Sequence, residues 1–211
     1  MPEPRYQITM MTEHDITIRV LTGRDAYLNA YVDDLARLRI AVFRDFPYLY
    51  AGSLTYERNY LRTYLDCPDS VFVLAFAGDT VVGASTGLPL AAETAEFQRP
   101  FRAAGIDPGT RFYGGESVLL PDYRGRGVYR AFFAGRENHA RTLGRFTHMT
   151  FCTVQRAADH LLRPSDYVPL DAVWTRFGYI RHDHLVTNFE WPDLDEPAPS
   201  AKPMVFWEKP L

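Results

Sequence analysis

The stretch PDYRGRGVYRAFF, residues 121–133, places two glycines one residue apart among three arginines and runs straight into an apolar pattern. Upstream, RFYGGESVLL (111–120) has the composition of a strand. Downstream, Val128, Ala131, Phe132, Gly135, His139 and Leu143 fall at helical spacing. Glu137 and Arg141 add an i,i+4 pair on what reads as a more exposed face. A strand, a glycine loop and a helix make an anion-binding arrangement. The free N–H groups of a helix's first turn carry partial positive charge. Glycine lets the backbone approach a ligand closely, and arginine adds forked donors.

Spacing separates the phosphate motifs. A P-loop needs Lys-Ser or Lys-Thr after its last glycine, and neither follows here. A dinucleotide fingerprint needs a third glycine, where Arg130 stands. The pattern Arg/Gln-x-x-Gly-x-Gly/Ala is matched in its first five places by Arg124 to Val128, and Tyr129 occupies the sixth.

The rest of the chain supplies a fold around this loop. Its 211 residues are 46% hydrophobic, which suits one globular domain over 15–211. The first 14 residues read as a loose polar leader with no apolar core of signal-peptide length. ITIRVL (16–21) alternates as a half-buried strand does. Leu28, Val32, Leu35, Leu38 and Val42 form a helical stripe, and Ser53 can cap a second helix to about Leu65. VFVLAFA (71–77) reads as a strand covered on both faces, and Gly78-Asp79 turns it into the next. Residues 91–110 look like an insertion with a short helix stopped near Pro100. Further strands are expected at 147–154, within 179–191 and at 204–211. A short helix ends at Gly178, and 192–203 has linker composition. The implied class is a mixed α/β sheet.

With net charge −3 and a pI of about 6.1, bulk electrostatics give no support for nucleic-acid binding. No run approaches the 18 apolar residues of a membrane span. Cys67 and Cys152 are too few and too distant for a disulfide framework or zinc site, and a reducing cytoplasm is the expectation.

The loop, in the segment VLLPDYRGRGV, resembles the pyrophosphate-binding segment of the GNAT superfamily (Gcn5-related N-acetyltransferases). The order of elements over about 16–190 is similar, and VWTRFGY (173–179) is similar to that family's late FYxxxGF segment. The resemblance implies a mostly antiparallel sheet with one central parallel strand pair. Those strands, 111–120 and 147–154, should splay at their C-terminal ends and be flanked by helices. It implies acetyl-CoA as cofactor, held by Leu119, Leu120, Arg124, Gly125, Arg126, Gly127, Val128 and Tyr129. It implies acetyl transfer to the amine of a small molecule or peptide, with no metal; a homodimer is an arrangement it leaves open. Two departures favour an alternative, a non-catalytic acyl-CoA-binding domain. Tyr129 replaces a small loop residue, and Trp174 stands where the family places a tyrosine acid. Indole has no titratable proton for that role. Tyr129 is expected to point away from the phosphates and pack on the neighbouring loop or the insertion.

An amine must lose its proton to attack. A lysine-like amine costs about 4.6 kcal/mol to deprotonate at pH 7, and an α-amine only about 1.4 kcal/mol. Glu116, in the strand that feeds the loop, is the candidate base, against the reading of a structural carboxylate. Tyr167 is the candidate substitute acid, against a tyrosine packed in a turn. Cys152 could carry an acyl group, although a buried structural thiol is the commoner case. Asp159 and His160 could handle protons, although a solvated pair is the plainer reading. Phe43, Phe46, Tyr48 and Tyr50, gathered in FRDFPYLYAG, form a candidate wall for the acceptor, and Phe97 and Phe101 could close over it.

Overall fold

The computed structural model describes residues 16–211, so the leader expected over 1–14 lies outside the described residues. The strands are β1 (Ile16–Thr22), β2 (Val71–Ala77), β3 (Thr80–Pro89), β4 (Arg111–Leu119), β5 (His148–Val154), β6 (Ile180–Trp191) and β7 (Ser200–Pro210). The helices are α1 (Val32–Phe43), α2 (Leu54–Leu65), α3 (Ala95–Ala103), α4 (Val128–Leu143) and α5 (Asp171–Arg176). All seven strands share one sheet, in the order β1-β2-β3-β4-β5-β7-β6.

β2 shows why its sequence is apolar throughout. Phe72, Leu74 and Phe76 face the cluster that includes Leu35 of α1 and Leu61 of α2. Val71, Val73 and Ala75 face the opposite cluster, with Phe132 of α4 and Trp174 of α5. Both faces are therefore covered, and period-2 alternation disappears. Gly78, with φ of +57°, makes the turn into β3. α4 approaches β2 so closely that a Cβ on Gly135 would come within 2.6 Å of Val73. Ser53 caps α2 by accepting from the Tyr56 N–H. Gly178, with φ of +89°, closes α5: its N–H and that of Tyr179 return to the carbonyls of Thr175 and Trp174.

β4 and β5 are the only parallel pair among the described strands. They are in register at Arg111–His148, Phe112–Met149 and Tyr113–Thr150 and nowhere beyond, so they separate toward their C-terminal ends. β3 and β4 carry a bulge at the same level. Between the pairs Ser85–Ser117 and Gly87–Gly114, Thr86 alone opposes Gly115 and Glu116. A bulge re-aims side chains, and here it turns Glu116 toward α1.

Three details differ from the sequence reading. Pro100 does not stop α3 but lies inside it. Its missing N–H strands the Glu96 carbonyl, and the Thr187 hydroxyl of β6 donates to that oxygen at 2.8 Å. β7 begins at Ser200, so residues 200–203, which have linker composition, are strand. Glu137 does pair with Arg141, but it is buried and also accepts from Tyr179 and Lys209.

Candidate active site

The glycine loop sits where β4 leaves the sheet. Gly125 (φ +77°) and Gly127 (φ +80°) are both left-handed, and a Cβ on either would meet open space. Glycine is required there by backbone conformation rather than by crowding. Gly127 opens α4 with no side-chain cap. Among the described residues, no acceptor faces the N–H groups of Gly125, Arg126, Gly127, Val128 and Tyr129. Such a cradle of unpaired amides fits a pyrophosphate. Arg124 folds back and donates to the Leu119 carbonyl at 3.3 Å, while Leu119 packs in the α4-side core. The Leu120 N–H is used by Val82.

The two departures from the family pattern meet each other. The Trp174 indole N–H donates to the Tyr129 hydroxyl at 2.9 Å. The Tyr129 ring packs on Phe133 and Phe177, with centroids at 5.1 and 6.2 Å. Its contacts are thus with α4 and the end of α5, and not with the neighbouring loop or the insertion.

Across the β4–β5 split lies a cavity of about 310 Å³. Tyr113 and Gly115 of β4 and Cys152 of β5 reach its floor. Phe43, Tyr48 and Tyr50 form one wall, as expected, and Phe97 contributes another. Phe46 is elsewhere: it packs edge-on against Tyr167 at 4.7 Å and near His160 at 5.7 Å. Neither Tyr167 nor Phe101 lines the cavity; Phe101 is core, packed on Phe206. The 46–50 segment is fastened from the far end of the chain. Arg156 donates to the carbonyls of Pro47 and Tyr48 while gripping both oxygens of Asp193 at 2.6 and 2.8 Å. Trp191 also donates to the Tyr48 carbonyl.

Beneath the cavity Arg39 stands between two carboxylates, Glu57 and Glu116, and hydrogen-bonds to both. All three side chains are buried. Arg39 and Glu57 line the cavity, but Glu116 lies behind Arg39 and does not. Glu57 Oε1 and Glu116 Oε1 are buried without a close hydrogen-bond partner, and the Tyr50 hydroxyl faces the Glu57 carboxylate. The Tyr60 ring covers the Arg39 guanidinium at 4.2 Å. From Tyr60 a chain runs inward: its hydroxyl meets Tyr64 at 3.1 Å, and Tyr64 donates to Glu93 at 2.6 Å. Burial pushes Glu93 up to about 7, against the opposing effect of the Tyr64 bond. Burial likewise pushes the Cys152 thiol up to about 12, despite its 3.2 Å contact with the Tyr113 hydroxyl. A thiol held protonated in this way is a poor nucleophile.

Arg39, Glu57, Tyr60 and Glu93 were not singled out from sequence. For Arg39 and Glu57 a signal existed. Each interrupts an apolar helical stripe, between Leu35 and Val42 in α1 and between Leu54 and Leu61 in α2. A charge at such a position is buried and paired or it is functional. Glu93 lies in a loop with no periodicity to mark it.

No protein-family model matches this sequence, and no curated protein matches it. Solved structures do match it. A ribosomal-protein-alanine N-acetyltransferase from Brucella melitensis is 13% identical, with a TM-score of 0.58, over 92% of this chain and 99% of that one. A protein of the GNAT family from Desulfovibrio desulfuricans is 12% identical, with a TM-score of 0.54, over 92% and 98%. An N-acetyltransferase from Thermoplasma acidophilum, solved with coenzyme A, is 13% identical, with a TM-score of 0.51, over 93% and 99%. The chain therefore has the GNAT fold. Among the described residues no helix is long and apolar enough to cross a membrane.

Proposed function

We propose that this protein is an acetyl-CoA-dependent N-acyltransferase that acetylates an amine. The observation that carries this reading is the position of two sites on either side of one split. The amide cradle at 125–129 opens on one side of the diverging β4 and β5, and the aromatic cavity opens on the other. A cofactor reaching through that split would present its acyl group to an amine in the cavity. Two solved structures of the same fold support it through what they are: one is an N-acetyltransferase, and the other was solved with coenzyme A.

In this reading the backbone of Gly125–Tyr129 holds the pyrophosphate, and Leu119 and Leu120 border the pantetheine arm. Acetyl-CoA supplies the thioester. A thiolate with a pKa of about 8.5 departs without an obligatory proton donor, so the indole at 174 does not block the chemistry. Glu116 and Glu57 act as positioning residues that hold Arg39 at the inner end of the cavity. The Tyr60–Tyr64–Glu93 chain is a route by which the amine's proton leaves the cavity. The test is release of coenzyme A thiol from acetyl-CoA across a panel of amines, with binding of coenzyme A followed by calorimetry. Binding without turnover on any amine would leave a non-catalytic acyl-CoA-binding domain.

A further inference from the structure

The rings that line the cavity are packed on one another in two runs. In the first, Phe43 lies on Tyr48 at 4.5 Å, and Tyr48 stacks on Trp191 at 6.2 Å with 26° between the planes. In the second, Tyr113 lies on Phe97 at 4.8 Å, and Phe97 on Phe189 at 4.5 Å. Each run ties together elements remote in sequence. The first joins α1, the 46–50 segment and the end of β6, and the second joins β4, α3 and β6. Rings held in this way have little freedom left to lose when a ligand enters. The charges of the inner cavity are already matched. Arg39 is the only basic residue lining it among the described residues, and Glu57 and Glu116 engage its guanidinium. Glu57 Oε1 has no accessible surface, and the Tyr50 hydroxyl faces that carboxylate. Burial raises the phenols of Tyr48, Tyr60 and Tyr113 above their ordinary pKa, so these rings stay neutral. The other two lining carboxylates, Glu96 and Glu190, are half-exposed and exposed. A ligand inside the cavity therefore meets ring faces and ring edges.

We propose that the acceptor is a small aromatic amine, one ring seated among the two runs and a primary amine on a short arm that reaches the floor at Tyr113, Gly115 and Cys152. The inference rests on the transferase reading for its chemistry, but not for its binding. A volume of about 310 Å³ suits a single ring with a short arm, because ligand pockets begin at roughly 300 Å³. Offset-stacked or edge-on contact favours an aromatic ring over a saturated ring of the same size by about two- to tenfold for each ring pair. In the reaction the ammonium first gives up one proton to solvent. The lone pair of the neutral nitrogen then bonds to the acyl carbon, and the carbon–sulfur bond breaks with its electrons on sulfur. The departing thiolate takes the second proton from nitrogen.

The experiment compares 2-phenylethylamine with 2-cyclohexylethylamine, which share an arm and ring size and differ in the π faces. Thiol release from saturating acetyl-CoA gives kcat/KM, expressed per neutral amine so that the two amine pKa values drop out. The phenyl compound should be favoured by at least about fivefold. Phe189→Leu keeps apolar bulk on the edge strand β6 and removes one partly buried ring. It should narrow the ratio by at least about twofold, with coenzyme A affinity by calorimetry unchanged as the sign that it is folded. A wild-type ratio below about fivefold, an unchanged ratio in folded Phe189→Leu, or higher efficiency with alaninamide or 1,5-diaminopentane would overturn the aromatic acceptor and leave the transferase standing. Calorimetric binding of 2-phenylethylamine in preference to its cyclohexyl analogue, without thiol release from any amine, would support the ring pocket and overturn the transferase.

Discussion

The indole N–H of Trp174 and the hydroxyl of Tyr129 are hydrogen-bonded at 2.9 Å, joining α5 to the first turn of α4. The indole can only donate, so the tyrosine oxygen must accept. These two residues thus form one structural unit. Burial keeps the Tyr129 phenol above its ordinary pKa.

Tyr129→Phe leaves the indole N–H without its acceptor. Stability should fall by about 1–3 kcal/mol, the cost of a buried unsatisfied donor. Coenzyme A affinity should change by less than about tenfold, or roughly 1.4 kcal/mol, because the ring faces Phe133 and Phe177. Chemical denaturation and calorimetry read the two quantities separately. Tyr129→Gly, which removes the ring, should also change coenzyme A affinity by less than about tenfold, and a roughly hundredfold tightening in that variant would identify the ring as a plug in a site that does not turn over.

Gly127→Pro should abolish coenzyme A binding while leaving the sheet intact. Proline removes an N–H from the cradle and fixes φ near −65°, against the observed +80°. Near-wild-type affinity by calorimetry would place the pyrophosphate elsewhere.

Arg39→Met should destabilise the fold by about 3–5 kcal/mol, since it strands two buried carboxylates. Urea unfolding measures the loss. A loss below about 1 kcal/mol would mean that the pair of glutamates is not held by this arginine.

Glu93 gives stability a specific pH dependence. Its folded pKa of about 7 lies above the ordinary 4.5, so the folded state binds more protons between those values. Stability from this group is therefore present below pH 4.5 and is lost as pH rises toward 7. The loss amounts to about 3 kcal/mol at most, by 1.36 kcal/mol per unit. Glu93→Gln should remove it. Unfolding free energies of the two proteins, subtracted at pH 5 and pH 7.5, isolate the effect from all other groups.

Cys152→Ala should keep turnover within a few-fold of wild type, because a thiol pushed up to about 12 supplies almost no thiolate at neutral pH. Loss of activity with retained coenzyme A binding would revive a covalent role.

What was legible in the sequence follows from how local each feature is. β2, the α2 cap at Ser53, the turn at Gly78 and the glycine loop each depend on a few consecutive residues, and each is where periodicity and turn chemistry put it. The error at Pro100 has a tertiary cause: only a hydroxyl from β6, far along the chain, makes a proline tolerable inside α3. The aromatic cavity was half legible. Phe43, Tyr48 and Tyr50 sit in one aromatic cluster, whereas Glu57, Phe189 and Trp191 reach the same space from α2 and β6. Phe46 shares the cluster but turns toward Tyr167, a choice that spacing alone does not record.

The clamp of Arg156 on Pro47, Tyr48 and Asp193 divides the molecule's inheritance in two. The amide cradle at 125–129 is one short contiguous stretch, so a single substitution there changes it directly. The aromatic wall of the cavity is assembled from remote segments that meet through this arginine. Exchange of residues around 191–199 would tilt the wall without disturbing the cradle. Under the proposed function, the shape of the wall can therefore change while the cradle stays as it is. A scaffold of this kind would be recognised by its loop long after sequence ceased to report what it modifies.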